Sequence, residues 1–511
     1  MRPRYAWAAP VVHRSGRWTG TRTGRLRLLD DVVRIANARR IDLRTGEAGE
    51  PEDLWLSGDR IARSPGTESD PVLDAEGRFM LPGLWDAHVH MTQWALASRR
   101  LDVSMVADVP ELLGVLAAHL AAREAPPDEP VVAVGVRAAT WSPAPTGSEL
   151  DALAPATPVV ILGHDLHGAW VNRAAEVRWD LNAEDGRVLE DAAFRLQSLL
   201  SQVDDVELDR WVRETARRAA QRGLVGIVDL ERDDNASVWR RRVSRGFREL
   251  RVRASVWPER LEATIAAGAR DGDPLDEHGL VRQGPLKVIT DGSISAATAW
   301  CRSPYGPAPG CGVSWVSADD LADLLSRASR AGLECAVHAI GDAAIAQAVA
   351  AFADSGARGS VEHAELATAE DAEQLGRLGL VASVQPQHLD DDRATCELFW
   401  PGRTVLPLAT MRDAGVRLAL GSDAPVVPLN PWAAIRGAVL RGSTTAWQPE
   451  ESLSVLDALR ASTSGVWRLV PGALADLILV DENPCEVDVD RLDEFEAAAT
   501  LVGGRLVHSR L

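Results

Sequence analysis

The stretch Leu81-Pro82-Gly83-Leu84-Trp85-Asp86-Ala87-His88-Val89-His90 decides how the rest of the chain is read. An apolar run leads into it, and Pro82-Gly83 punctuates the backbone just ahead. If residues 85–90 are extended, side chains alternate and His88 and His90 share a face. Two imidazoles side by side on a rigid strand make half of a metal site. A pair of partly buried core histidines is the competing reading.

Outward from that stretch, short strand-like runs alternate with helix-like segments, the pattern of a parallel sheet. Eight runs qualify as strands: 84–90, 224–230, 250–257, 286–291, 333–340, 360–366, 381–386 and 416–422. Between them, Leu208, Val212, Ala216 and Ala219 recur at helical spacing over 206–222, as do Leu321, Leu324, Leu325 and Ala328 over 318–331. Eight such repeats favour an α/β fold with a closed (β/α)8 TIM-type barrel over residues 83–465. Residues 95–205 are too long for one crossover, since structureless loops seldom exceed about 15 residues. They hold strand-like runs at 131–136 and 159–162 and a helix near 110–123. This insertion leaves from the end of strand one and is expected to cover the active site. Alternating runs with Gly/Asp turns over 28–82, and similar ones over 466–511, predict a small composite β-sandwich domain built from both ends. Neither fragment has enough apolar face to stand alone.

Bulk properties exclude some partners. The 511 residues carry a net charge of −19, with 46% hydrophobic and 25% charged residues. Duplex nucleic acid and anionic membrane surfaces repel such a chain. No apolar run reaches the ~18 residues of a membrane span. Residues 1–27 differ, with seven arginines and no acid. They read as a loose tail or an over-extended start, not as a secretory signal. Five cysteines without Cys-x-x-Cys spacing argue against a disulfide framework and a thiolate zinc site. Cys301 and Cys311 flank a Pro/Gly-rich loop and could pair, but free thiols in a reducing cytoplasm are the expectation. Nothing argues against a homo-oligomer.

Of the 55 basic residues, Lys287 is the one lysine. Where coding bias turns surface lysines into arginine, a surviving lysine marks a place that a guanidinium cannot serve. A lysine amine can be made neutral by its surroundings; arginine stays charged. Lys287 lies in Leu286-Lys287-Val288-Ile289-Thr290-Asp291-Gly292, a strand-like run ending in a turn signal. A neutral amine there could form a Schiff base, or take up carbon dioxide as a carbamate able to bridge two metals. A structural lysine with a buried stem is the alternative.

Three further residues fall at strand ends: His338, His363 and Asp423. Taken singly, each has a plain explanation as a core histidine or a turn aspartate. Together they meet on one rim, because barrel sites are built at the C-terminal ends of several strands. Four histidines, an aspartate and a lysine able to become anionic suit zinc or a similar divalent cation.

The order His-x-His, Lys, His, His, Asp after strands one, four, five, six and eight resembles the amidohydrolase superfamily. The flanks are similar to its branch of N-substituted formamide deformylase-like hydrolases. Leu-Pro-Gly-x-x-Asp-x-His-x-His, Lys-x-x-x-Asp-Gly, His-x-Ile-Gly-Asp and Gly-Ser-Asp-x-Pro all stand in the chain. Residues 167–172 (His-Gly-Ala-Trp-Val-Asn) and 383–388 (Ser-Val-Gln-Pro-Gln-His) add to the likeness, which covers about 28–511.

The resemblance implies that His88 and His90 hold one metal, that His338 and His363 hold a second, and that Lys287 bridges them as a carbamate. Whether one ion binds or two stays open. It implies hydrolysis of a non-peptide C–N bond, in an amide or N-substituted formamide, by hydroxide generated on the metal. Asp423 would hold metal and act as base, then acid. His388 would steady the oxyanion. His167, Trp170, Asn172 and Asp291 would line the substrate pocket, while Asp291 and Glu362 could instead orient ligands. Packing inside the insertion is the competing role for Trp170. Relatives often carry an arginine near Ala297; here it is absent, so no substrate anion contact is expected there. A one-metal deaminase on the same barrel is a second reading, against which Lys287 speaks. A non-catalytic binding barrel is a third, against which the full ligand set speaks.

Overall fold

Each of the eight apolar runs forms a strand, because a parallel strand covered on both faces needs apolar residues on both. The computed structural model describes residues 34–63, 72–123, 126, 128–136, 141, 144–163, 168–201, 203–306, 310–442 and 446–511. The barrel strands are β1 (Leu84–Val89), β2 (Leu224–Asp229), β3 (Arg251–Val256), β4 (Val281–Ile289), β5 (Cys335–Ala339), β6 (Gly359–His363), β7 (Val381–Val384) and β8 (Arg417–Leu420). They pair in chain order, all parallel. β4 starts five residues earlier than its run predicts, because residues 281–285 continue the ladder with β3.

The seam between β8 and β1 closes through the motif residues themselves. Val89 bridges Ala424. The Asp423 amide donates to the His88 carbonyl at 2.8 Å, and the His90 amide to the Ala424 carbonyl at 2.9 Å. Asp86 Oδ1 accepts from the His88 and Ser422 amides, both at 3.0 Å. Gly421 permits this approach: a Cβ there would lie 2.8 Å from the His88 nitrogen.

Helices fill the crossovers and are capped as their sequences suggest. Asp204 caps Asp205–Gln221, and Ser317 caps Ala318–Ala331, which ends on left-handed Gly332. Leu321, Leu325 and Ala328 bury its inner face in the barrel core.

Strands from both ends of the chain form one eight-stranded sheet. Its order is Arg505–Ser509, Ala499–Val502, Leu477–Val480, Phe79–Pro82, Arg34–Asp42, Glu47–Ser57 and Arg60–Ile61, with Val72–Asp74 pairing to Arg34–Asp42. The pairing traces one path and does not by itself establish the two layers expected of a sandwich. Ile41, Leu81, Ile478 and Val480 belong to the barrel's core, whereas Ile35, Leu54, Leu477 and Leu479 gather in a separate one. The terminal sheet therefore buries one set of residues against the barrel and another in a core of its own. The arginine-rich segment 1–27 lies outside the described residues.

The insertion builds a five-stranded sheet of its own from Leu101–Asp102, Val131–Val136, Val159–Gly163, Gly168–Val171 and Arg187–Leu189. Val159 and Ile161 face one core, Val160 and Leu162 another. All five cysteines are free. Among the described residues, no helix is long and apolar enough to cross a membrane.

Candidate metal centre

Six side chains on or just after five of the barrel strands converge at one mouth of the barrel. His88 is on β1 and His90 follows it. Lys287 lies inside β4, His338 inside β5, His363 ends β6, and Asp423 follows β8. His88 Nε2 is 3.4 Å from Asp423 Oδ1 and 3.5 Å from Lys287 Nζ. His90 Nε2 is 3.2 Å from the same Asp423 oxygen. The His363 ring lies 4.9 Å from that of His88 and 4.4 Å from that of His338, centre to centre. His363 and Asp423 adopt left-handed backbone, at φ 69° and 56°. Such strain in non-glycine residues gathers where a site needs a side chain aimed off the regular strand path.

The charges follow from burial and neighbours. Burial pushes the Glu362 carboxyl up, but the hydrogen bond from His88 Nδ1 at 2.8 Å and nearby Lys287 outweigh it and hold the group below the usual range. An ionised Glu362 fixes the His88 proton on Nδ1, so Nε2 carries a lone pair. That lone pair faces a carboxylate oxygen, since Asp423, despite burial, is held well below its ordinary value by His88 and His90. Two acceptors at 3.4 Å call for a cation beside them. Lys287 is a poor answer, because burial pulls its amine below the ordinary lysine range. His338 and His363 are pushed far down, by burial first and by charged neighbours next. Both are neutral imidazoles, the form that ligates metal.

The orphaned atoms agree. His90 Nδ1, His363 Nδ1 and His388 Nε2 are buried without a hydrogen-bond partner, a state that native structures seldom leave unexplained. Candidate ligand atoms of His88, His363 and Asp423 lie within 4.8 Å of one another, as do those of His363, Glu365 and His388. This donor set fits a divalent metal.

The surrounding residues sort differently. Asp291 is fully buried and accepts from the Trp300, Ile340 and Gly341 amides at 2.8, 3.1 and 2.8 Å. Its carboxyl, pushed up to about 7 mainly by burial, ties the loops after β4 and β5 together and also sits 3.5 Å from His338 Nε2. It orients the site; it does not line the pocket. Asn172 is likewise corrected. Its side chain accepts from the Val159 and Ala175 amides and donates to the Ala154 and Thr157 carbonyls, so nothing is left for a substrate. Trp170 is buried in the insertion's own core. His167 lies outside the described residues. None of the described residues of the insertion lines the cleft at the metal centre, which encloses about 460 Å³, part of it open to solvent. His388 does line it, on a short 3-10 turn after β7.

Four carboxylates escaped the sequence reading. Asp86 stitches the β8–β1 seam. Asp229, which ends β2, and Glu231, just beyond it, accept from the Met91, Thr92 and Gln93 amides and so anchor the turn that carries His90. Glu365 lines the cleft two residues beyond His363. Asp86 stood inside the motif; the others end or follow strands, where acids are too common to single out.

The amidohydrolase family model matches residues 71–508. N-substituted formamide deformylase of Arthrobacter pascens is 26% identical, over 94% of this chain and 98% of that protein. A putative amidohydrolase of Bacillus subtilis, YtcJ, is 24% identical, over 91% and 96%. Among solved structures, an uncharacterized metal-dependent hydrolase from Pyrococcus horikoshii superposes with a TM-score of 0.76, at 21% identity, covering 89% of this chain and 98% of that one. The last shows likeness of fold alone. Since the family match runs from the terminal sheet through all eight barrel strands and back, the chain is a hydrolase that belongs to the amidohydrolase family.

Proposed function

We propose that this protein hydrolyses a non-peptide C–N bond, in an amide or N-substituted formamide, with a divalent metal, zinc being the best match to the donors. The observation that carries the reading is Lys287, the lone lysine, buried with its amine 3.5 Å from His88 Nε2. His88, His90 and Asp423 would hold one ion, and His338 and His363 a second. Lys287, as a carbamate, would lie between them. Bound there, the metal supplies Lewis acidity and lowers the pKa of water toward ~7.

The chain's own residues do the rest. Glu362 holds the His88 ring so that Nε2 faces the centre. Asp423, ionised and beside that centre, takes a proton from the attacking water and delivers it to the leaving nitrogen. His388 has Nε2 without a partner and lines the cleft, which suits it to hydrogen-bond the substrate oxygen as charge develops. The 26% identical formamide deformylase supports this substrate class.

The test combines metal analysis of the purified protein with turnover of a panel of N-formyl and N-acyl amines. Bound zinc or a similar ion and chelator-sensitive hydrolysis are expected. Undiminished hydrolysis after thorough metal stripping would overturn the reading.

A further inference from the structure

The cleft beside the histidines has a one-sided charge. Its described lining includes the carboxylates of Glu365, Asp391, Asp392 and Asp423 but no lysine or arginine. Asp423 is committed to His88 and His90. Asp391 and Asp392 make interactions of their own. Glu365 stands apart. Its side chain is 6% exposed, and one oxygen, Oε1, lies 3.7 Å from His388 Nδ1. The other, Oε2, is buried with no hydrogen-bond partner. A buried carboxylate oxygen without a donor is costly, and a donor that arrives with positive charge is the strongest remedy.

We propose, building on the hydrolase reading above, that Glu365 receives a positively charged group of the substrate. The preferred substrates are then amides that carry an ammonium or guanidinium close to the scissile bond. The spacer is short because Glu365 lies within 4.8 Å of the candidate ligand atoms of His363 and His388. Nothing in the lining favours an anion: the loop after β4 offers Ser293, Ile294 and Ser295. A metal ion on Glu365 is the rival occupant. It would draw on His363, which the reading above gives to the ion held with His338, and His363 also lies in the group with His88 and Asp423. Oε1 is also turned toward His388, which leaves a single oxygen for an incoming donor.

The test compares matched N-formyl and N-acyl amides whose amine part ends in an ammonium, a neutral isostere or a carboxylate. In the unmodified enzyme the ammonium substrate should exceed its neutral isostere in kcat/KM by about tenfold or more, with the carboxylate slowest. In Glu365→Gln that ratio should fall to about twofold or less, mainly through KM. A measurement without turnover accompanies it. Calorimetry should show short alkylammonium ions binding the full-length protein more tightly than the matching alcohols, and the difference should vanish in Glu365→Gln. Equal kcat/KM for neutral and cationic amides would overturn the proposal. So would the loss of a metal equivalent from Glu365→Gln in elemental analysis, which would make Glu365 a metal ligand. If the variant does not fold, the unmodified enzyme's preference decides alone. If no amide turns over while alkylammonium binding persists, the hydrolytic reading of the site fails and the cation seat stands.

Discussion

Glu362 on β6 accepts a hydrogen bond from His88 Nδ1 on β1 at 2.8 Å, and both side chains are shielded from solvent. The pair fixes which His88 nitrogen faces the centre. Glu362→Gln keeps the volume and removes the charge, so His88 loses its preferred tautomer and basicity. Metal affinity should drop about 10–100-fold, as read by competition with a chelator of known strength. Unchanged affinity would show that Glu362 does not orient the ligand.

Lys287→Arg should lose metal and activity together. The side chain is buried, and a guanidinium in its place stays charged and cannot form a carbamate. Metal content and turnover are measured on the same preparation. Full retention of both would refute a bridging role for Lys287. Gentle intact-mass analysis should show the added carbon dioxide on the unmodified protein.

Asp86 gives a pH dependence with a definite sign. Burial above all pushes its carboxyl from 3.8 to about 7, against two backbone hydrogen bonds. The folded protein therefore holds a proton that the unfolded chain releases, and this group's contribution to stability declines as pH rises from about 4 to about 7. Asp86→Asn keeps the acceptor oxygen and cannot ionise. In chelator-treated protein its unfolding free energy relative to wild type should rise across that window, as read by urea denaturation. A constant difference across the window would refute the assignment.

Asn172→Ala should act on folding rather than on substrate. It removes four hydrogen bonds inside the insertion, including the cap of the Arg173–Trp179 helix. A loss of about 2–4 kcal/mol is expected, with KM unchanged in the folded fraction. A raised KM at unchanged stability would return Asn172 to the pocket.

Gly341 sits where a Cβ would lie 2.0 Å from the Trp300 carbonyl oxygen. Gly341→Ala must push apart the two loops that Asp291 ties together. A destabilisation of about 1–3 kcal/mol with reduced metal content is expected from thermal unfolding and elemental analysis.

The barrel was legible because β strands buried on both faces need apolar runs, and those runs are local in sequence. The candidate ligand set was legible because His88, His90, Lys287, His338, His363 and Asp423 each lie in or just after such a run. Asn172 misled, and Trp170 stood open between pocket and core, for one reason. A polar or aromatic residue in a linker motif looks alike whether it faces a cleft or an interior, and only packing separates the two. The layering of the terminal strands was not legible for a similar reason, since alternation shows that a strand has an apolar face but not what covers it.

The chain order of strands and the candidate metal-binding side chains were thus legible in the sequence alone, because periodicity and residue chemistry are properties of short segments. Tertiary structure decided the rest: which oxygen of Asp423 meets His88 and His90, which nitrogen of His88 Glu362 claims, and that Glu365 keeps an oxygen unpaired beside the cleft. Those relations join residues up to 335 positions apart (Asp423 lies that far beyond His88), so no local pattern carries them; they arise only when closure of the barrel sets the strand ends side by side.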